Sequence, residues 1–564
     1  MSSDKFGENQ AGQAEILLDN QPVMISPGTT ILQYLQQKGQ IDPGLQNPVV
    51  IMSINGRRAS LHEAVHGDER VRLIRLKDIE ANTTIQRTVL FVMAVAAEDL
   101  FPDHRLRVNF SYGGGVYCEL VDSEPLSIQQ IRTLEERMGE LVSMDLPLTP
   151  QRFGLRALLK MLQRDGKHQR FTSAKYLRRD TVTLFRMNGF DQLYFGRQLP
   201  STGYVRAFRL VPEGPGFVLM TNVKQDPEMI PTYVPQSKLL TTMRKYSAWS
   251  AQLSVQDVGH MNEYIVDGNT SDLVQISEAR HSRFFVDAAD QVAAMPDDGR
   301  LILLAGPSSS GKTSSAKRLA IQLRVLGLRP FALSLDNYFV DREDTPLDEE
   351  GDYDFESIDA LKVDLFNEHL KALMAGEPVH LPTYNFHTGT SSISEHSTVL
   401  EKGMPLLVEG IHALNPKLTP AINDAEKLRI YVSALCHMNI DNFSYIKTTD
   451  TRLFRRIVRD AQFRGYTASE TLARWPKVRL GEEEHIFPFQ NNADLFFNSG
   501  LTYELAVLKL WAEPRLAAVD PDDKNYGLAR TLIDLLSLLL PVDASQVPPT
   551  SLLREFIGGS GFHY

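Results

Sequence analysis

The stretch Gly306-Pro-Ser-Ser-Ser-Gly311-Lys312-Thr313 has the spacing GxxxxGK[ST], and its residue types suit one task. Glycine lets a backbone turn its N–H groups onto an anion, and a helix starting there adds its positive end. Lys312 has the reach for the β- and γ-phosphates of a nucleoside triphosphate, and the Thr313 hydroxyl can ligate Mg²⁺. Gly306, Ser308, Ser309, Ser310, Gly311 and Ser314 complete the expected nucleotide-binding set. The flanks agree with this reading. "LILLA" precedes the loop as a short apolar strand, and Ala316, Leu319, Ala320 and Leu323 follow with helical spacing.

Two acids stand where neighbouring strands should end. "FALSL" runs into Asp336, and "MPLLVEG" into Glu409-Gly410. In a parallel sheet such strand ends open onto the crevice that holds the phosphate loop. Asp336 can take a proton from an attacking hydroxyl or hold a Mg²⁺-bound water; a turn or cap aspartate is the plainer alternative. Glu409 is placed as a Walker-type acid that holds Mg²⁺ directly or through water. Then "TTDTRLFRRIVRDAQFRG" repeats arginine at 452, 455, 456 and 459, with Leu453, Phe454, Ile457 and Val458 interleaved. One helical face is therefore basic and another apolar. Such a face can spread positive charge over a moving phosphoryl group. Its plainer alternative is a solvated face paired with Asp450 and Asp460.

These residues need a scaffold, and the strand and helix patterns supply one. From Arg300 to about Ala512 strands alternate with helices, which predicts a parallel sheet covered on both faces. Ahead of it, residues 14–78 read as strand, turn, strand, short helix and further strands, with an Asn55-Gly56 turn signal. Residues 80–230 mix helices and strands, including "RVNFSYGGGVYCEL", two alternating runs joined through three glycines. Residues 231–296 are mostly helical and are expected to connect the halves. Residues 1–13 read as a disordered tail, 297–512 as the phosphate-loop domain, and 513–564 as a helical tail. With 564 residues, 43% hydrophobic and 23% charged, the chain has globular composition and room for several cores. A net charge of −11 argues against a protein dominated by nonspecific nucleic-acid binding. Cys118 and Cys436 are the only cysteines, which excludes a disulfide framework and a cysteine zinc site. The polar start "MSSDKFGENQAGQ" lacks the apolar core of a signal peptide, and "TLIDLLSLLLP" is too short to span a bilayer. A cytoplasmic protein without a membrane partner is expected.

Over roughly 300–500 the chain resembles the uridine kinase and phosphoribulokinase family. The motifs that carry the likeness are "GPSSSGKT", "LDNYF", "YDFESIDAL", "LPTYNF", "LVEGIHALNP" and "TDTRLFRRIVRDAQFRG", in the family's order. The resemblance implies ATP and Mg²⁺ as cofactors and Asp336 as the base for an acceptor hydroxyl. It also implies Glu409 with Thr313 and Asp336 on the metal, and Arg456, Arg459 and Arg464 as lid arginines. Asp354 matches an acid that binds ribose hydroxyls, and Tyr384 an aromatic that meets the base. The pattern also breaks in places. Uridine kinases carry a histidine where Gly389 stands, with His387 two residues early, and Tyr466 and Arg474 replace a lid arginine and a nucleoside-reading glutamine. Residues 14–78 resemble the β-grasp TGS domain. The following region resembles the second amino-terminal domain of threonyl-tRNA synthetases. The paired histidines of that domain's editing pocket fall on Phe91 and Val95, so no editing chemistry is expected.

The expected architecture is thus multidomain α/β and α+β: a TGS-like β-grasp unit, a synthetase-like α+β unit and a parallel-sheet P-loop kinase. The expected activity is transfer of the ATP γ-phosphoryl group to a nucleoside such as uridine or cytidine. Two alternatives stay open: a kinase of another small alcohol, phosphoribulokinase- or pantothenate kinase-like, and an NTP-switched module that binds RNA or the ribosome through the front half. A homo-oligomer is compatible with each.

Overall fold

The computed structural model describes residues 13–121, 123–193, 196–222, 226–296, 300–386, 388–436 and 438–563. The front unit holds β1 (Ala14–Leu18), β2 (Gln21–Ile25), α1 (Ile31–Gln37), β3 (Val49–Ile54), β4 (Arg57–Ala59) and β5 (Arg70–Arg75). Its sheet runs β2-β1-β5-β3-β4, with β1 and β5 parallel and the other pairs antiparallel. Asn55 and Gly56 both have positive φ and close the β3–β4 hairpin in a two-residue turn, as the sequence signals.

The second unit follows with α2 (Asn82–Leu100), β6 (Arg105–Tyr112), β7 (Gly115–Val121), α3 (Ile128–Ser143) and β8 (Thr149–Gly154). It continues through α4 (Leu155–Arg164), α5 (His168–Lys175), β9 (Thr181–Met187), β10 (Phe190–Leu193), β11 (Phe208–Glu213) and β12 (Gly216–Thr221). Two antiparallel sheets result, β10-β9-β8 and β11-β12-β7-β6. Phe91 and Val95 of α2 lie fully buried in an apolar cluster, so the positions where the synthetases need histidines are filled by packing.

Helices α6 (Ser237–Gln252), α7 (Val258–Val266) and α8 (Thr270–Ala293) lead into β13 (Leu301–Ala305) and α9 (Lys312–Val325). Next come β14 (Phe331–Ser334), α10 (Val363–Met374), a hairpin of β15 (Val379–Asn385) and β16 (Thr390–Thr398), β17 (Leu406–Glu409) and β18 (Lys427–Ser433). The rear holds α11 (Thr448–Arg459), a π-turn at Asp460–Arg464, α12 (Ala468–His485), β19 (Leu495–Asn498), α13 (Glu504–Ala517), α14 (Tyr526–Leu536) and α15 (Arg554–Ile557). The sheet β14-β17-β13-β18-β19 is parallel throughout. Side chains of β13 alternate between two cores: Leu301, Leu303 and Ala305 face one, Ile302 and Leu304 the other. That division is why its run is continuously apolar.

Two segments sit differently from their sequence reading. Helix α8, expected as connector, packs Phe285, Ala288 and Val292 on the sheet beside α9, as part of its cover. The end of the chain, read as a helical tail that loses regularity, is built in: Leu552, Leu553 and Phe556 are fully buried. Replacing a buried aromatic by alanine costs about 3–5 kcal/mol. Phe556→Ala is therefore expected to lower the urea midpoint of the kinase unit markedly. An unchanged midpoint would show that this end is only loosely attached.

Candidate active site

Gly306 leaves β13 where no side chain fits: a Cβ there would meet the Val432 carbonyl at 2.0 Å. Ser309 and Gly311 adopt positive φ, 59° and 86°, which turns the loop before α9 begins. Lys312 opens that helix, its ammonium donating to the Pro307 carbonyl at 3.4 Å, and Thr313 follows half-buried. The carbonyls of Ser308 and Ser310 point into protein. Two fully buried arginines meet them. Arg452 Nε donates to the Ser308 carbonyl at 2.9 Å, and Arg455 Nη1 to the Ser310 carbonyl at 3.3 Å. Each guanidinium is neutralised in turn, Arg452 by Glu482 and Arg455 by Glu504 at 2.5 Å.

Half of the predicted basic face is thus internal framework, and the remainder faces the loop. Arg456 Nη1 donates to the Ser308 hydroxyl at 2.7 Å. The fully buried Asp460 holds Arg456, Arg459 and Arg464 together, at 3.2, 3.8 and 3.4 Å. One carboxylate against three guanidiniums leaves surplus positive charge. Burial, with the charges of Arg464 and Arg456, pushes Arg459 down to about 10. The π-turn is what brings Arg464 back to the same acid.

Across the cleft, Glu409 ends β17 in register with Ser334 of β14. The Ser334 hydroxyl donates to Glu409 Oε1 at 2.9 Å and accepts from the Asp336 N–H at 3.3 Å, so one serine ties the two acids together. Burial and the Asp336 charge raise the Glu409 carboxyl, against the pull of Lys312. Loss of water raises Asp336 as well, against Lys312, Arg464 and Arg459. Two hard oxygen donors near Lys312, one raising the other, fit a divalent cation.

The acceptor side is less complete. Tyr384 lies on the β15–β16 hairpin against Phe339 and Phe386, ring centres 5.5 and 5.0 Å away, beside the Asp336 turn. Asp354 commits Oδ1 to the N–H groups of Glu356 and Ser357, and its Oδ2 lies 3.4 Å from His485. That use departs from a carboxylate held open for ribose hydroxyls. His387 lies outside the described residues. Gly389 has φ of +75°, and a Cβ there would strike the Arg342 side chain at 2.8 Å, so arginine fills the space of the expected histidine. Arg474 stacks on Tyr466, 4.1 Å from its ring centre, so the two departures in the lid partner each other.

Three acids escaped the sequence reading. Glu482 Oε1 accepts from the Ser308 N–H at 3.1 Å. Glu356 stands nearby, pushed up to about 7 by burial and the Glu482 charge. Glu555, from the far end of the chain, accepts from the N–H and hydroxyl of Ser314 at 3.3 and 2.5 Å, on the first turn of α9. Glu356 lies within the "YDFESIDAL" motif without a role assigned there, and nothing local marks Glu482 or Glu555, whose neighbours come from the tertiary fold.

With this geometry in place, the sequence profile described as "Phosphoribulokinase / Uridine kinase family" matches residues 301–506. A uridine kinase of Chloroflexus aurantiacus is 30% identical over 213 residues, covering 37% of this chain and 90% of that kinase. The chain belongs to the phosphoribulokinase/uridine kinase family. This family membership rests on the rear half. A threonine–tRNA ligase of Maricaulis maris is 28% identical over 179 residues, 31% of this chain and 28% of the ligase, so the chain spans under a third of that relative. A solved structure titled as a possible uridine kinase from Bacillus stearothermophilus aligns at 19% identity and a TM-score of 0.27, over 38% of this chain and 98% of that one.

Glu555 places negative charge on the Ser314 amide of α9, one of the groups expected from the sequence to meet a phosphate. Glu555→Gln is expected to tighten binding of a fluorescent ATP analogue several-fold, read by direct titration. Unchanged or weaker binding would show that the carboxylate does not compete for those donors.

Proposed function

We propose that the protein is an ATP-dependent kinase that phosphorylates a hydroxyl of a small molecule, with a nucleoside such as uridine or cytidine as the first candidate. The observation that carries the reading is the convergence of the phosphate loop, the Asp336–Glu409 pair and the Asp460-centred arginines on one cleft. A nucleotide switch needs the loop and a metal ligand but no base for a hydroxyl. Lys312 and the loop amides bind the triphosphate. Asp336 accepts the acceptor's proton as its oxygen bonds to the γ-phosphorus and the bond to the ADP oxygen breaks. A carboxyl raised above its ordinary range is a better proton acceptor once ionised. Arg456, Arg459 and Arg464 balance charge on the transferred group and on ADP. Thr313, Glu409 and Asp336 would hold Mg²⁺, which would supply charge neutralisation for the triphosphate.

A second reading keeps the chemistry and changes the acceptor to another small alcohol. It is favoured by Arg342, which occupies the space of the expected histidine at Gly389. In either case the front unit is read as a TGS-like β-grasp domain attached to a synthetase-like platform without editing chemistry.

Single-turnover transfer from labelled ATP to a panel of nucleosides and sugar alcohols tests the acceptor. Asp336→Asn is expected to bind ATP within about threefold of the parent while transfer falls by roughly 10²–10⁴, the usual contribution of a general base. Undiminished transfer would refute the base assignment. ATP hydrolysis that rises with RNA, with no acceptor labelled, would favour a switch over a kinase.

A further inference from the structure

A cleft of about 810 Å³ opens where the front sheet, the second unit and the rear helices meet, away from the phosphate loop. It is lined by eight arginines and lysines and only three acids, Glu63, Asp450 and Asp534, in a chain whose net charge is −11. Arg58 comes from β4, Arg87 from α2, Arg197 from the segment before β11, and Lys447 from the residue before α11. Arg152 of β8 and Arg530 of α14 are the more exposed members.

Glu63 pairs with Arg57 and Arg197, and Asp534 with Arg179. Gathering the remaining like charges out of water is unfavourable unless a further anion is held between them. Burial lowers Arg58, Arg197 and Lys447 alike, and the charges of Arg87 and Arg58 lower Lys447 further, with Asp450 opposing. Neither Arg58 nor Lys447 has a hydrogen-bonded carboxylate among the described residues. The buried Nε2 of His62, also in the lining, has no hydrogen-bond partner there either.

We propose that this cleft is a second anion site that takes a small ligand bearing a polyphosphate chain, inorganic or nucleoside-linked. Its volume falls in the range of small-ligand sites, which favour the junctions of structural units. A single-stranded nucleic acid would use open aromatic faces for stacking. The aromatics here are engaged: Phe443 packs on Phe190 and under Arg170, and the Tyr445 hydroxyl bonds Gln86. Lys447 immediately precedes α11, whose later turns carry Arg456 to the phosphate loop and Arg459 to Asp460. A ligand drawn onto Lys447 therefore bears on the helix that carries the lid arginines.

Calorimetric titration of full-length protein carrying Lys312→Ala, which disables the phosphate loop, isolates this site. Inorganic triphosphate and ADP are the probes. The expected result is one site per chain, weakened at least tenfold between 50 and 250 mM salt as phosphate contacts are screened, roughly as counterion release predicts. Adding Arg58→Glu should weaken it at least tenfold more. Adding Arg152→Glu with Arg530→Glu, both exposed and safer for folding, should weaken it several-fold. ADP binding more tightly than triphosphate supports the nucleoside-linked source, and the reverse order the inorganic one. Absence of the site, or indifference to both sets of charge reversals, overturns the proposal. A twelve-nucleotide RNA that binds more tightly than either probe, and is lost in the same variants, overturns the small-ligand class. The readout is binding alone, so it stands or falls separately from kinase activity.

Discussion

A loop that turns its N–H groups toward a phosphate must turn its carbonyls the other way, and buried carbonyls need partners. Here those partners are the guanidiniums of Arg452 and Arg455, each fully buried and each paired with an acid, Glu482 and Glu504. Removing one member of such a pair typically costs about 3–5 kcal/mol, because the other charge is left buried alone. The requirement fixes α11 against the back of the loop. Once α11 is fixed, Arg456 reaches the Ser308 hydroxyl, and the π-turn delivers Arg464 to Asp460. Buried framework and loop-facing side chains therefore share one helix, and its buried arginines hold the pose of the others.

The electrostatics of the cleft follow from that arrangement. The phosphate loop and Asp460 cluster concentrate donors and positive charge, while Asp336 and Glu409 face them as a linked acidic pair. Glu482 and Glu555 then set carboxylates against loop and helix amides, which is what an anion-seeking loop should attract. Glu555 is the more informative of the two. It belongs to a segment whose Leu552 packs 3.2 Å from where a Cβ on Gly311 would lie, and whose Phe556 lies under Arg455. The end of the chain is thus physically part of the nucleotide side of the cleft.

The front half is joined to the rear by close packing and by hydrogen bonds. Gly527 of α14 sits so close to the Asn55-Gly56 turn that a Cβ would meet the Gly56 carbonyl at 2.0 Å. Val108 of β6 donates its N–H to the Asn442 carbonyl, and Asn439 donates to the Val108 carbonyl at 2.6 Å. Where such units meet, no single core claims every side chain, and the basic cleft forms in that gap. Among the described residues no helix is long and apolar enough to cross a membrane.

Much of the rear half was legible because its signals are local. Glycines at fixed offsets, a buried strand before the loop, acids at strand ends and a two-residue Asn-Gly turn each follow from backbone geometry within a few residues. Family motifs singled out Arg464 and Tyr384, which the fold places against Asp460 and against Phe339 and Phe386. What the sequence could not separate was which arginines of α11 face inward: Arg452 and Arg455 look no different from Arg456 and Arg459 until Glu482 and Glu504 are placed beside them. Glu482 and Glu555 were invisible for the same reason, as were the built-in end of the chain and the cover formed by α8. Sequence alone determined the phosphate loop, the strand-end acids and the parallel sheet, since those depend on short-range stereochemistry. Only the tertiary structure decided which charges are framework and which are free to meet a ligand, because burial and pairing are properties of residues brought together from distant parts of the chain.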